Sequence, residues 1–291
     1  MASAEQLPGP DDLSAEEREA VETLLFRLAD DEFVTAERYT EWQVRAPTLE
    51  SDLALANITQ DELGHARLWF DLLQDFGPDE PDLIWERPAD EWHHATLAEL
   101  PYEEGDWADP ILRSYLYDVA EELRLEALVD SSYARIRDRV GKIRGEEDYH
   151  REHAENWLER LTDDDEGRRR VQQALDRLLP YALTLFAPVD DEIETRIDEL
   201  GLRTETLADM REEWLDTVVP YLEGLGLTVD EVELPEQYDT HHEDLDLPED
   251  IGRDTSHTDD WDDLWSEFTN TYRELDRHEA TRIMNDPDDE E

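Results

Sequence analysis

Two stretches of this chain repeat one plan, and that plan restricts the fold more than any other feature. Each has apolar residues at helical spacing, a turn, and a second helical pattern carrying an acid-x-x-His pair about fifteen residues past the turn. In the first, Glu32 precedes the turn near Pro47 and Glu62 and His65 follow it. In the second, Asp118 precedes Ser131–Ser132 and Glu147 and His150 follow. Each stretch predicts an antiparallel hairpin. At 1.5 Å per residue, all four positions lie about 22 Å from their turns, level with one another. Two such hairpins packed together make a helical bundle with acids and histidines meeting at mid-height.

One acid-x-x-His pair alone carries little weight. With 82 acids and nine histidines in 291 residues, roughly 2.5 matches arise by chance. Asp90–His93, Glu91–His94, Asp239–His242 and Asp254–His257 are such matches, all in predicted loops. Glu62–His65 and Glu147–His150 differ because they lie deep in long amphipathic patterns, where three-residue spacing places both side chains on one helix face. Carboxylate with imidazole suits iron or manganese, and paired motifs on facing helices are the arrangement of carboxylate-bridged dimetal bundles. The residue before each motif acid is also acidic. Asp61 is expected to face His150, and Glu146 to face His65, each fixing the tautomer of a ligating ring. A metal-free network of ion pairs and hydrogen bonds is the alternative, although four close carboxylates without cations are costly to keep ionised.

Stop signals divide the rest into helices. Ser14–Glu17 has capping-box spacing and starts a helix running to about Arg45. A second follows Thr48 and stops at Gly77–Pro78. Residues 79–108, with proline, tryptophan and no clean period, predict a long ordered connection. Asp109 and Pro110 predict the N-cap and first turn of a helix reaching about Asp130. Another follows Ser131–Ser132 to about 162, then one over about 164–187. Shorter pieces are predicted at about 190–200 and 205–225, interrupted by Gly201 and Pro220. Trp261, Leu264, Trp265, Phe268, Tyr272 and Leu275 predict a last amphipathic helix. No strand-like alternation stands out, so the class is all-α.

Composition narrows the partners. Against 82 acids there are 26 bases, for a formal net charge of −56, and Lys142 is the single lysine. Such a surface repels phosphates, which argues against nucleic acid and anionic membranes. Nine tryptophans and 38% hydrophobic residues argue against an acidic disordered chain. The remaining reading is a folded protein with a solvated acidic shell, resembling proteins of salt-accumulating halophiles. There is no cysteine, which excludes disulfides and thiolate chemistry. No apolar run approaches a membrane span and the N-terminus lacks a signal core, so a cytoplasmic location is expected.

The residues also carry a family resemblance. "LADDEFVTAERYTEWQVRAPTLESDLALANITQDELGHAR" (28–67) resembles the first hairpin of PaaC-type subunits of the phenylacetyl-CoA epoxidase family, most distinctively in "EW…APTLE.DLALANI…D.LG.AR". Residues 115–161 are similar too, above all "YH…WLERL", and weaker likeness runs through 171–186 and 256–268. The resemblance implies a ferritin-like four-helix bundle with additional C-terminal helices. On that reading residues 1–228 form the ferritin-like domain, 229–260 an acidic wrapping arm, 261–283 a C-terminal amphipathic helix and 284–291 a disordered tail. It further implies a multicomponent enzyme. There a PaaC-type subunit, structural in role, pairs with a PaaA-type catalytic subunit that epoxidises an aryl-CoA thioester with O2 at a di-iron centre, supplied by a reductase component.

This chain departs from the PaaC pattern at the ligand positions. PaaC-type sequences commonly carry Gln where His65 stands and non-acidic residues at the positions of Glu32 and Glu147. Here Glu32, Glu62, His65, Asp118, Glu147 and His150 stand where catalytic-type relatives place ligands, so the resemblance implies bridging roles for Glu62 and Glu147 and terminal roles for Glu32 and Asp118. Three functions stay open: an epoxidase component retaining a di-iron (or dimanganese) site, a non-catalytic scaffold in an oligomer, and a stand-alone ferritin-like oxidase. No CoA-binding residue is assigned.

Overall fold

Capping decides where the first two helices begin. In the computed structural model, which describes residues 6–102, 107–229 and 248–274, Ser14 accepts from the Glu17 amide and Glu17 accepts in return, opening α1 at Ala15–Gln43. Thr48 caps α2, Leu49–Gln74, by accepting from the Ser51 amide. The two helices pack along their lengths as a hairpin. The described part of the connection that follows, residues 75–102, is nearly without regular helix. Its largest regular pieces are a wide turn at Pro81–Trp85 and the one-turn α3, Thr96–Glu99. Leu83, Ile84, Trp92 and Leu97 anchor it by burial.

The second hairpin is α4, Ala108–Leu128, and α5, Ala134–Thr162. The N-cap of α4 is Trp107 rather than Asp109. Asp109 is buried and pairs with Arg113 and Arg177 instead of the helix amides. Asp164 caps α6, Asp165–Leu183; α7, Asp191–Glu199, ends before Gly201, whose φ of 67° suits glycine. Thr206 and Asp209 form a capping box for α8, Leu207–Gly224. Pro220 lies inside α8 and does not interrupt it, so only Gly201 separates the two pieces. α9, Asp259–Glu274, buries Trp261 and Leu264 against the connection and donates from the Trp261 and Trp265 indoles to the carbonyls of Ala89 and Arg87.

The fold is all-α, a ferritin-like bundle of α1, α2, α4 and α5 joined by one long crossover, with further helices packed on it. No strand occurs among the described residues. Among them, too, no helix is long and apolar enough to cross a membrane. Residues 230–247 and 275–291 lie outside the described set, and with them most of the expected arm, the end of the last helix and the tail.

Apolar burial is split into two clusters. Phe33, Trp69, Phe70, Leu125, Val140 and Ile143 belong to one, and Tyr39, Trp42, Ile58, Leu116, Ala154 and Leu158 to the other. On each bundle helix the change from one cluster to the other falls near the predicted acids and histidines. The buried polar layer is therefore the seam between two hydrophobic halves.

Candidate metal centre

Glu62 and His65 share one face of α2, as Glu147 and His150 share one face of α5, and all four are buried. His65 Nδ1 lies 3.6 Å from Glu62 Oε2 and 3.1 Å from Glu147 Oε1. His150 Nδ1 lies 3.6 Å from Glu62 Oε1 and 3.4 Å from Glu147 Oε2. Each of these two glutamates thus reaches both histidines, one oxygen to each. Glu32, from α1, approaches His65 Nδ1 at 4.0 Å. Two triads result, Glu32–Glu62–His65 and Glu62–Glu147–His150, each with ligand atoms within 4.8 Å of one another.

The far side of each ring is held by an outer acid. His65 Nε2 lies 2.8 Å from Glu146 Oε2, and His150 Nε2 lies 3.4 Å from Asp61 Oδ2. Protonation at Nε2 donates outward and leaves each Nδ1 aimed at the carboxylates. Burial alone pushes both imidazoles down, but the nearby carboxylate of Glu147, joined by Glu62 at His65, outweighs it and lifts His65 to about 11 and His150 to about 10. Burial pushes Glu147 up, and the two histidines outweigh it, bringing Glu147 to about 2. Glu32 has no such help. Burial, then Glu121 and Glu62, raise it well above the usual carboxylate range.

Asp118 is buried in the same layer but outside both triads, and its Oδ2 accepts from Ser114 Oγ at 2.9 Å. Burial, with Glu147 nearby, raises its carboxyl well above the usual range. One turn on, Glu121 is wholly buried, pairs with Arg124 and acts on Glu32 as a like charge. Counting back from the turn selects Asp118 and overlooks Glu121, although three-residue spacing puts both on one face. A cavity of about 260 Å3 between α4 and α5 opens onto Asp118 and Glu147, with four further acids, Glu122, Asp148, Glu152 and Glu155, and two arginines, Arg144 and Arg151, in its walls.

The donor set can be tested against a metal from its unpartnered atoms. Both oxygens of Glu32 and of Glu62, one each of Asp118, Glu121 and Glu147, and Nδ1 of both His65 and His150 are buried without a hydrogen-bond partner. Buried polar atoms are ordinarily satisfied, so such a concentration in one layer calls for a cation. Hard oxygens with two imidazoles fit iron or manganese.

A second His–acid group lies elsewhere. His94 Nε2 and His257 Nδ1 lie 2.6 and 2.7 Å from Glu99 Oε2, with the rings stacked at 4.4 Å. Sequence reading misses it, because the acid-x-x-His matches around His94 and His257 are not the pairs that form; Glu99 joins both from α3.

A family model described as "Phenylacetic acid catabolic protein", PaaA_PaaC, matches residues 4–277. The chain belongs to this family. Within PaaA_PaaC it is similar to the C subunit of 1,2-phenylacetyl-CoA epoxidase from Escherichia coli (strain K12). The two are 33% identical over 182 residues, covering 62% of this chain and 72% of that protein. It is also similar to the A subunit of the same epoxidase and organism, 27% identical over 196 residues, covering 66% of this chain and 63% of that one. This PaaA_PaaC member therefore spans slightly less than two thirds of the second relative.

Proposed function

We propose that this chain is a component of a multicomponent di-iron phenylacetyl-CoA epoxidase in phenylacetate catabolism, and that it retains its own dimetal site. The observation carrying this reading is the layer of unpartnered carboxylate oxygens and Nδ1 atoms at mid-bundle. Glu62 and Glu147 bridge, each facing both histidines. Glu32 and Asp118 are terminal ligands, with Glu121 a further acid beside Glu32. His65 and His150 bind through Nδ1, and Glu146 and Asp61 hold the proton on Nε2. Two iron ions, or manganese, held there would supply O2-dependent oxidation of an aryl ring presented as its CoA thioester. The charge of Glu62 and Glu147 favours a proton on each imidazole, and a cation held there would take over that role. The acid-lined opening between α4 and α5 favours cation entry.

The expected partners are a reductase component and a related ferritin-like subunit, in a cytoplasmic oligomer. Val44, Leu49 and Leu53 leave large apolar side chains exposed around the α1–α2 turn, as contact with another protein would require. The acidic shell is read as adaptation to high salt, so the unfolding midpoint should rise into molar NaCl.

Metal analysis with O2 uptake on the purified chain tests this reading. The expected result is two iron per chain, lost in Glu62→Ala and His65→Ala, with turnover of the aryl-CoA only once partners are added. Lack of stoichiometric metal in the wild type would overturn it. A second reading, a scaffold with no turnover of its own, is favoured by the higher identity to the C subunit than to the A subunit. It predicts that His65→Ala leaves the activity of the assembled complex intact.

A further inference from the structure

In a chain with 26 basic residues among 291, four arginines line one small interior cavity. Arg27 comes from α1, Arg124 from α4, Arg203 from the turn before α8 and Arg253 from the segment before α9. Each is at least nine-tenths buried. The remaining wall is largely apolar and includes Leu24, Leu128 and Met210. The cavity is about 40 Å3, room for a few waters or one small anion.

Three buried carboxylates, Asp31, Glu194 and Glu121, pair with the four cations. Asp31 accepts from Arg124 and Arg253, and Glu194 accepts from Arg27 and Arg203. Asp198 also pairs with Arg203, but from a side chain one-third exposed. Glu121 accepts from Arg124 as well. Burial holds Arg27 below its usual value, with Glu194 opposing and the like charges of Arg253 and Arg203 adding to the effect. Donors remain unused. Arg27 Nε, Arg124 Nε and Arg253 Nη1 are buried with no hydrogen-bond partner. Guanidinium N–H groups left unpaired in a dry site carry a full desolvation cost.

We infer that this cavity is a binding site for a small inorganic anion of halide size, held by the unused N–H donors of Arg27, Arg124 and Arg253. The anion would join α1, α4 and the segment before α9 through one charge. Its size excludes a CoA phosphate or an aryl group, so the site is distinct from any substrate pocket.

Bromide tests this on the unmodified full-length chain. Crystals grown in sodium bromide should show an anomalous peak inside the cavity. In solution, thermal midpoints are compared in sodium chloride and sodium gluconate at equal sodium concentration, which removes the general salt effect on the acidic shell. The expected result is a higher midpoint in chloride, with a saturable dependence. Arg253→Met should remove the saturable part and keep the general salt response. An anomalous peak confined to the surface, or water alone in the cavity, would overturn the inference. So would equal midpoints in the two salts.

Discussion

The Glu62 cluster and the Glu99 cluster use the same side-chain types, carboxylate and imidazole, and are both buried, yet they are wired in opposite senses. In the Glu99 cluster every carboxylate oxygen is already engaged. Oε2 faces both histidines and Oε1 accepts from the Thr258 amide at 2.7 Å. The outer nitrogen of His257 lies 3.0 Å from the Trp92 carbonyl. His94 Nδ1 alone is without a hydrogen-bond partner, and the rest forms a clamp between the crossover and the segment leading into α9. In the Glu62 cluster the outward nitrogens are engaged and the inward atoms are not. Residue type does not distinguish a latch from a cation site; the direction of the unpartnered atoms does.

The sharpest way to break that contrast is metal stoichiometry. Glu62→Ala should lose both metals, because Glu62 faces both histidines, whereas Glu99→Ala should keep two per chain by elemental analysis. Loss of metal in Glu99→Ala with the fold intact would erase the distinction. Stability should respond the other way. Glu99→Ala removes the carboxylate that both rings share and should cost about 1–3 kcal/mol in urea titrations. In metal-free protein, Glu62→Ala leaves Glu147 beside both histidines and should cost less than Glu99→Ala.

Acid sharpens the same point. Burial pushes Glu99 up, but bonds from His257 and His94 outweigh it and hold it at about 2, against 4.5 for the free side chain. A depressed folded-state value means that the stability it confers is complete above pH 4.5 and lost as pH falls toward 2. The stability gap between wild type and Glu99→Gln should therefore be constant at neutral pH and close across that window. The smallest effect is expected at the outer acids. Glu146→Gln leaves the ligands in place but weakens the hold on the His65 tautomer, and should lower metal affinity about 10–100-fold. Competition with a chelator measures it.

The helices were legible because their ends are written locally, as Ser14–Glu17 and Thr48 show. The level of Glu32 with Glu62 was legible because two regular helices joined by a short turn convert residue counts into heights. The same arithmetic stops at α4, where Asp118 and Glu121 differ by one turn and only packing brings Glu121 against Glu32. The Glu99 clamp was not legible at all. Its three residues come from a crossover and a segment some 150 residues later, with no period to relate them. Asp109 was misread as a cap because burial beside Arg113 and Arg177 outweighs the local preference.

Asp30, Asp31 and Glu32 are consecutive, all wholly buried, and point three ways from one turn of α1. Asp30 takes Arg87 and the His93 amide, Asp31 takes Arg124, Arg253 and the Ala95 amide, and Glu32 faces the cluster. Successive side chains on a helix are about 100° apart. Inserting one residue upstream in α1, between Ala20 and Asp30, would swing all three acids together, unpairing the crossover, the segment before α9 and the ligand layer in a single event. The same insertion at Gly77 moves none of them. Tolerance to length change along this chain should therefore fall most steeply within one turn of a single helix.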